Sequence, residues 1–307
     1  MVLMNIGVIG AGRVGAVLAA ALRDAGHHIG SASGASAASR TRLETLLPEA
    51  RVAGRGAVAR DAALLLLTVP DDALPSVVAS LVADGAITAG QVVVHTSGRH
   101  GVGVLQPAAR AGAVVIALHP AMTFTGTDVD LERLSSCVFG VTAPDAAAEE
   151  VARGLVADLG ATMTLVTEDR RAMYHAALAH GSNHLVTLVT QAMGLLRQAG
   201  SQDPSATLRP LLQAALDNAL AYGDAALTGP VVRGDRETVD AHLDALADAP
   251  APTFDTYLAM ARVTAGLSVA DGRLSRERAR EITDRLDGAA WDATAAAMAD
   301  DLGHSHG

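Results

Sequence analysis

The chain contains no lysine; all 23 of its basic residues are arginine. That excludes Schiff-base chemistry, the phosphate-binding lysines of P-loop and kinase sites, and a lysine general acid. The single cysteine, Cys137, excludes an intramolecular disulfide and a multi-cysteine metal centre. A lone cysteine in an apolar stretch reads as a small core residue, and no chemistry is expected of it. Aromatic residues make up only 2% of the chain, so alanine, leucine and valine must build the core. There is no basic excess either: a net charge of −10 argues against nucleic acid or a membrane surface as partner. No apolar run approaches the roughly 18 residues of a membrane span, and a strand pattern begins almost at once. Neither a transmembrane helix nor a signal peptide is expected, and a cytoplasmic enzyme fits. At 307 residues there is room for about two domains.

What is present is concentrated at the start. Ile6 to Ile9 reads as a short buried strand, and Val14 to Ala25 as a helix of good formers. Between them stand Gly10, Gly12 and Gly15, the GxGxxG spacing in the setting that its chemistry requires. The first glycine allows a tight turn, the second lets backbone approach a pyrophosphate, and the third lets helix and strand pack closely. The helix N-terminus adds unpaired N–H groups. Gly10, Ala11, Gly12, Arg13, Val14 and Gly15 are therefore the expected pyrophosphate-binding residues.

His28 to Ala32 reads as a second strand, and the segment after it, from Ser33, carries no acidic residue. An acid there would bond the ribose 2′-hydroxyl of NAD. Ser33 with Arg40 and Arg42 suits the 2′-phosphate of NADP instead, unless both arginines lie on the solvated face of a helix over about 35–46. NADP is thus expected, NAD less so. Ala63 to Val69 is an apolar run ending at Pro70, as in a central parallel strand, which places Val69 and Pro70 at the cofactor's nicotinamide end. Two more predicted strands, 91–95 and 113–118, end in His95-Thr96-Ser97-Gly98 and His119-Pro120. Each histidine reads either as a site residue or as a satisfied structural imidazole. Strands at 136–141 and 161–166 flank a helix over 145–159.

From Thr167, a plausible N-cap, the pattern is helical, with one helix of roughly 30 residues ending near Gly200. Asp203-Pro204 opens the next helix. Further helices are expected at about 235–247, 253–269, 275–287 and 289–301, with His304 and His306 in a frayed tail. The expected architecture is α/β: an N-terminal Rossmann-type, mostly parallel sheet over 1–166, then an all-α domain over 167–307. On the long helix, His175, Ala179, Ser182 and Asn183 fall on one side at 100° per residue. Asn183 is a poor helix-interior choice unless its amide has a partner. His180 and His184 have i, i+4 spacing, but no glutamate follows as in HExxH and no metal site is expected. Gly229-Pro230 and Gly234 predict an irregular loop holding Arg233, either facing solvent or gripping a carboxylate, with Asp235 capping the next helix.

These strings resemble one family over nearly the whole chain. They are Val69-Pro70-Asp71-Asp72, His95-Thr96-Ser97-Gly98, His119-Pro120 with Thr123-Phe124, Tyr174-His175-Ala176-Ala177 with Ser182-Asn183, and Ala226 to Pro230 with Arg233-Gly234-Asp235. The family joins a Rossmann-like domain to a helical domain of unknown function within the 6-phosphogluconate dehydrogenase-like superfamily. Some members resemble a PanG-type alternative ketopantoate reductase. The resemblance implies an NADPH-dependent reductase of a small 2-oxo acid, with ketopantoate the best candidate and a homodimer formed through the helical domain. An imine or deazaflavin reductase, or a non-catalytic dinucleotide-binding sensor or scaffold, are the alternatives. His175 is the expected proton donor and Asn183 the substrate-orienting amide, with Ser97 and His119 in support. Thr228, Arg233 and Asp235 are the expected substrate-binding residues. This chain departs from the superfamily twice: Ala179 stands where many members carry lysine, and Ser33-Gly34 where the family often has arginine.

Overall fold

The computed structural model describes residues 3–304. The chain divides into two compact units, Met1–Gly181 and Ser182–Gly307. This division falls inside the long helix rather than at 166, because the first turns of that helix pack on the sheet.

The first unit is built on one eight-stranded sheet. Its strands are β1 (Asn5–Ile9), β2 (His28–Ser33), β3 (Arg51–Val52), β4 (Leu64–Leu67), β5 (Val92–His95), β6 (Val114–Pro120), β7 (Val138–Thr142) and β8 (Thr162–Leu165). The spatial order is 3-2-1-4-5-6-7-8, parallel from β3 to β6. β7 runs antiparallel to β6, and β8 parallel to β7. Continuous apolar strands suit a sheet covered on both faces. Leu64 and Leu66 of β4 enter the core on one face, and Leu65 and Leu67 the core on the other.

The sequence pattern missed β3 and the short helix Arg55–Asp61 that follows it. A two-residue strand, Arg51-Val52, exposed at both positions, has no periodicity to read. Cys137 stands just before β7 rather than within it; it is buried in the core, and burial pushes its thiol up to about 11.

Thr167 does not cap the long helix. A 3-10 turn, Glu168–Arg170, intervenes, the helix runs Arg171–Gln198, and the Thr167 hydroxyl bonds Asp169 instead. Asp203 does cap Pro204–Tyr222, accepting from Ala206 N at 2.9 Å.

In the second unit, Val239, Leu243, Phe254, Leu258, Ile282 and Leu286 form the apolar centre. The helices expected at 275–287 and 289–301 are one helix, Arg276–His304. Gly288 lies between them, and a lone glycine costs a helix about 1 kcal/mol without ending it. His304, expected in a frayed tail, closes this helix, and His306 lies outside the described residues. No helix among the described residues is long and apolar enough to cross a membrane.

Candidate active site

At the C-terminal edge of the parallel strands, the glycine turn is tied to the end of β2: Gly10 N and Ala11 N both donate to Ser33 O, at 2.9 and 3.1 Å. Gly10 has a φ of +101°, and a Cβ there would meet the Thr68 carbonyl carbon at 2.7 Å. A Cβ on Gly15 would strike the Thr68 hydroxyl. That hydroxyl itself donates to Gly10 O at 2.5 Å. These two glycines are required by the protein's own packing. Gly12 is different: the nearest atom to a Cβ there is Gly10 O, at 3.9 Å. No protein atom demands a glycine at this position, and the free space opens toward the cleft, where a pyrophosphate would approach the backbone.

The cleft encloses about 550 Å³. Gly10, Ala11, Gly12, Arg13, Val14, Ser33, Val69 and Pro70 line it, all of them expected from the sequence. Gly15 lies beneath the turn as a packing residue, and Arg40 does not line the cleft. Its exposed guanidinium turns back to the carbonyl of Ala35. Arg42 likewise donates to Ala38 O in its own helix. Arg55 and Thr68 line the cleft without having been singled out, and Asp71 and Thr96, named only within the family strings, line it too.

The cleft wall continues through Thr96 and Ser97 into a loop closed by His95. His95 is fully buried; its Nε2 pairs with Gly101 O at 2.9 Å and its Nδ1 accepts from Ser97 N at 3.1 Å. Those partners assign the Nε2-protonated neutral tautomer. Burial above all, opposed by the Gly101 bond and helped by the charge of Arg171, lowers the His95 pKa to about 4. His95 is thus a structural imidazole. Ser97 is buried too, and its hydroxyl accepts from His100 N at 3.2 Å.

Three further rings converge behind this loop. His119 Nδ1 lies 3.2 Å from the Tyr174 hydroxyl, and the rings meet edge to face. The His175 ring sits 5.9 Å from that of His119. A Cβ on Gly98 would lie 2.9 Å from His119 Nε2 and strike the His175 ring; a Cβ on Gly140, paired with His119 in the β6–β7 ladder, would strike Tyr174. Burial, then Arg171 and His175, lower the His119 pKa to about 4. Beneath them Arg171, only 1% exposed, donates to the carbonyls of Ser97, Gly140 and His100 at 2.6, 2.9 and 3.0 Å. It forms no ion pair among the described residues, and its guanidinium lies 5.5 Å from the Tyr174 ring centroid. No local pattern distinguishes Arg171 from its neighbour Arg170, which is exposed.

The other expected site residues belong to the second unit. Asn183 is exposed, and its side-chain amide has no hydrogen-bond partner among the described residues. The stretch expected as an irregular loop is a short helix, Pro230–Arg233, ended by Gly234 at φ 68°. Thr228 is exposed, and the Arg233 side chain is 64% exposed, 3.9 Å from Asp235. Asp235 caps the following helix, its two oxygens accepting from Thr238 N and Oγ1 at 3.1 and 2.8 Å, which lowers its pKa.

Residues 2–120 match the Rossmann-like domain family, and residues 137–264 match a domain of unknown function, DUF2520. No curated protein matches the chain. Among solved structures, the chain is similar to BF3122 of Bacteroides fragilis, named as an NADP oxidoreductase: 21% identity, 86% of this chain and 98% of that one, TM-score 0.73. Protein TM1727 of Thermotoga maritima matches at 18% identity over 87% and 99%, TM-score 0.63. An imine reductase from Myxococcus stipitatus, in complex with NAD+, matches at 16% over 92% and 99%, TM-score 0.61. At these identities the likeness shows the shared fold.

Proposed function

The chain carries a Rossmann-like domain and a DUF2520 domain, and we propose that it is an NAD(P)-dependent oxidoreductase. The reading preferred is NADPH-dependent reduction of a small 2-oxo acid, ketopantoate first among candidates. One observation carries it: the wall of the cleft at the glycine turn runs through Ser97 to Gly98, where a Cβ would meet both His119 and His175. A nucleotide cleft and a proton-handling cluster on one sheet edge suit hydride chemistry. When bound, the nicotinamide supplies the hydride.

The protein's part is to give a proton to the developing alkoxide. Without lysine, imidazole is the side chain whose proton exchange falls in the physiological range. His119, lowered to about 4, is neutral at pH 7. His175 is left as the donor, with His119 orienting through its bond to Tyr174 and Ser97 shaping the wall. Asn183, Thr228, Arg233 and Asp235 are the proposed groups of the second unit for orienting the substrate and holding its carboxylate.

The likeness to an imine reductase favours a second reading, reduction of a C=N bond. The test is loss of reduced-nicotinamide absorbance with ketopantoate and, separately, with a cyclic imine. Turnover of the imine alone would replace the first reading by the second. Binding without turnover of either would favour a nucleotide sensor.

We further propose a homodimer through the helical domain. The helix Pro204–Tyr222 buries only Pro204 and Leu208, leaving Leu216 and Leu220 exposed one turn apart on the same side, an apolar surface that a second copy would cover.

A further inference from the structure

The arginines that the sequence offers for cofactor selection are both turned to backbone carbonyls, Arg40 to Ala35 just before its helix and Arg42 to Ala38 within it, and neither lines the cleft. The cation at that end of the cleft comes from elsewhere. β3 pairs in parallel with β2, Ser31 against Arg51 and Ala32 against Val52. The ladder runs on one step further, where Ala53 N donates to Ala32 O at 3.0 Å. Gly54 and Arg55 therefore leave the sheet beside the end of β2, abreast of Ser33 and Gly34. Arg55 lines the cleft with Ser33, Ala35 and Ser36, and it has no carboxylate partner among the described residues.

The hydroxyls nearby divide into used and unused. Ser36 and Ser39 satisfy each other in a capping box. Ser39 is further fixed because Gly34 leaves room for its hydroxyl, which a Cβ would meet at 2.7 Å. The Ser33 hydroxyl has no partner among the described residues. Among the described residues, the only acid lining the cleft is Asp71, next to Pro70 at the opposite end. An unpaired guanidinium and an unpaired hydroxyl, with no acid beside them, match a dianionic phosphate ester and offer no acceptor to a ribose diol.

We propose that Arg55, with the Ser33 hydroxyl, binds the 2′-phosphate of the adenosine ribose, so that the third strand, not the helix bearing Arg40, selects NADP over NAD. The inference rests on the reading of the cleft as a dinucleotide site. It moves the specificity-determining cation to a segment whose strand is two residues long.

The experiment is fluorescence titration of the full chain with NADPH and with NADH, for wild type, Arg55→Ala and Arg40→Ala. The wild type is expected to bind NADPH more tightly. In Arg55→Ala the NADPH affinity falls on the order of 10–100-fold, the range for losing a charged hydrogen bond, while NADH affinity is unchanged. Arg40→Ala keeps the preference, and rising salt erodes it in every chain but Arg55→Ala. Binding of neither nucleotide would overturn the dinucleotide reading and this inference with it. Binding of both, with the preference intact in Arg55→Ala or absent from the wild type, would overturn this inference alone.

Discussion

The guanidinium of Arg171 donates to the carbonyl of Ser97 at 2.6 Å. Through that bond, the first residue of the long helix holds the wall of the cleft at the glycine turn. The same side chain reaches Gly140 and His100, so β7 and the loop after β5 are pinned to one buried cation.

Replacing Arg171 by methionine keeps much of its volume and orphans three carbonyls. Each buried unsatisfied group costs about 1–3 kcal/mol, so a loss of at least about 3 kcal/mol is expected in urea unfolding. Arg171→Lys is expected to recover little, because an ammonium on a flexible stem cannot copy the planar fork. An unfolding midpoint equal to wild type in either variant would contradict this account.

The glycine turn separates two kinds of requirement. Gly10→Ala meets a backbone carbonyl and an unfavourable φ, and is expected to destabilise by about 1–3 kcal/mol. Gly12→Ala projects a methyl group into the cleft, so its melting temperature falls less while NADPH affinity drops by roughly tenfold, about 1.4 kcal/mol. Melting curves and titrations on the two variants decide it.

His95 and His119 both sit near pKa 4 in the fold, against 6.5 in the unfolded chain. Below pH 6.5 the unfolded chain therefore binds protons that the folded chain refuses, and stability falls as pH drops from about 6.5 toward 4. The two sites together can remove on the order of a few kcal/mol. Carboxylates held low in the fold add loss at the acid end, so the diagnostic is the difference between chains. His95→Gln is expected to flatten the slope of unfolding free energy between pH 6.5 and 5; an unchanged slope would remove His95 from the effect.

The glycine turn, the apolar strands and most helix ends could be read because each has a local cause: a spacing, a run, a cap. The cluster behind the cleft could not. Arg171 matters because it is buried, and burial follows from β7 and β8 turning the chain back so that Arg171, Tyr174 and His175 arrive beside His119. No pattern within the helix announces that. Arg55 escaped for a related reason, since its place depends on a strand pair only two residues long. Arg40 was favoured on chain proximity to Ser33, but helical direction turned it away.

If His175 gives the proton, His175→Ala is expected to lower kcat by roughly 10²–10⁴-fold, the usual contribution of a positioned acid, while NADPH affinity holds. Tyr174→Phe keeps the ring and loses only the bond to His119, so a smaller fall in kcat is expected. Equal turnover by His175→Ala and wild type would remove that residue from the role.

For the proposed dimer, Leu220→Glu places a charge on a side chain that is 80% exposed in the single chain. Light scattering on a sizing column is expected to show two copies for wild type and one for the variant. A wild-type monomer at micromolar concentration would contradict the arrangement.

The loop from Thr96 to Gly101 is held by a neutral imidazole, at Ser97 N and Gly101 O, and by a buried cation, at Ser97 O and His100 O, all within the protein. Its ordering entropy is therefore lost when the chain folds, not when nucleotide arrives. A nucleotide entering the proposed site would meet this side of the cleft already formed.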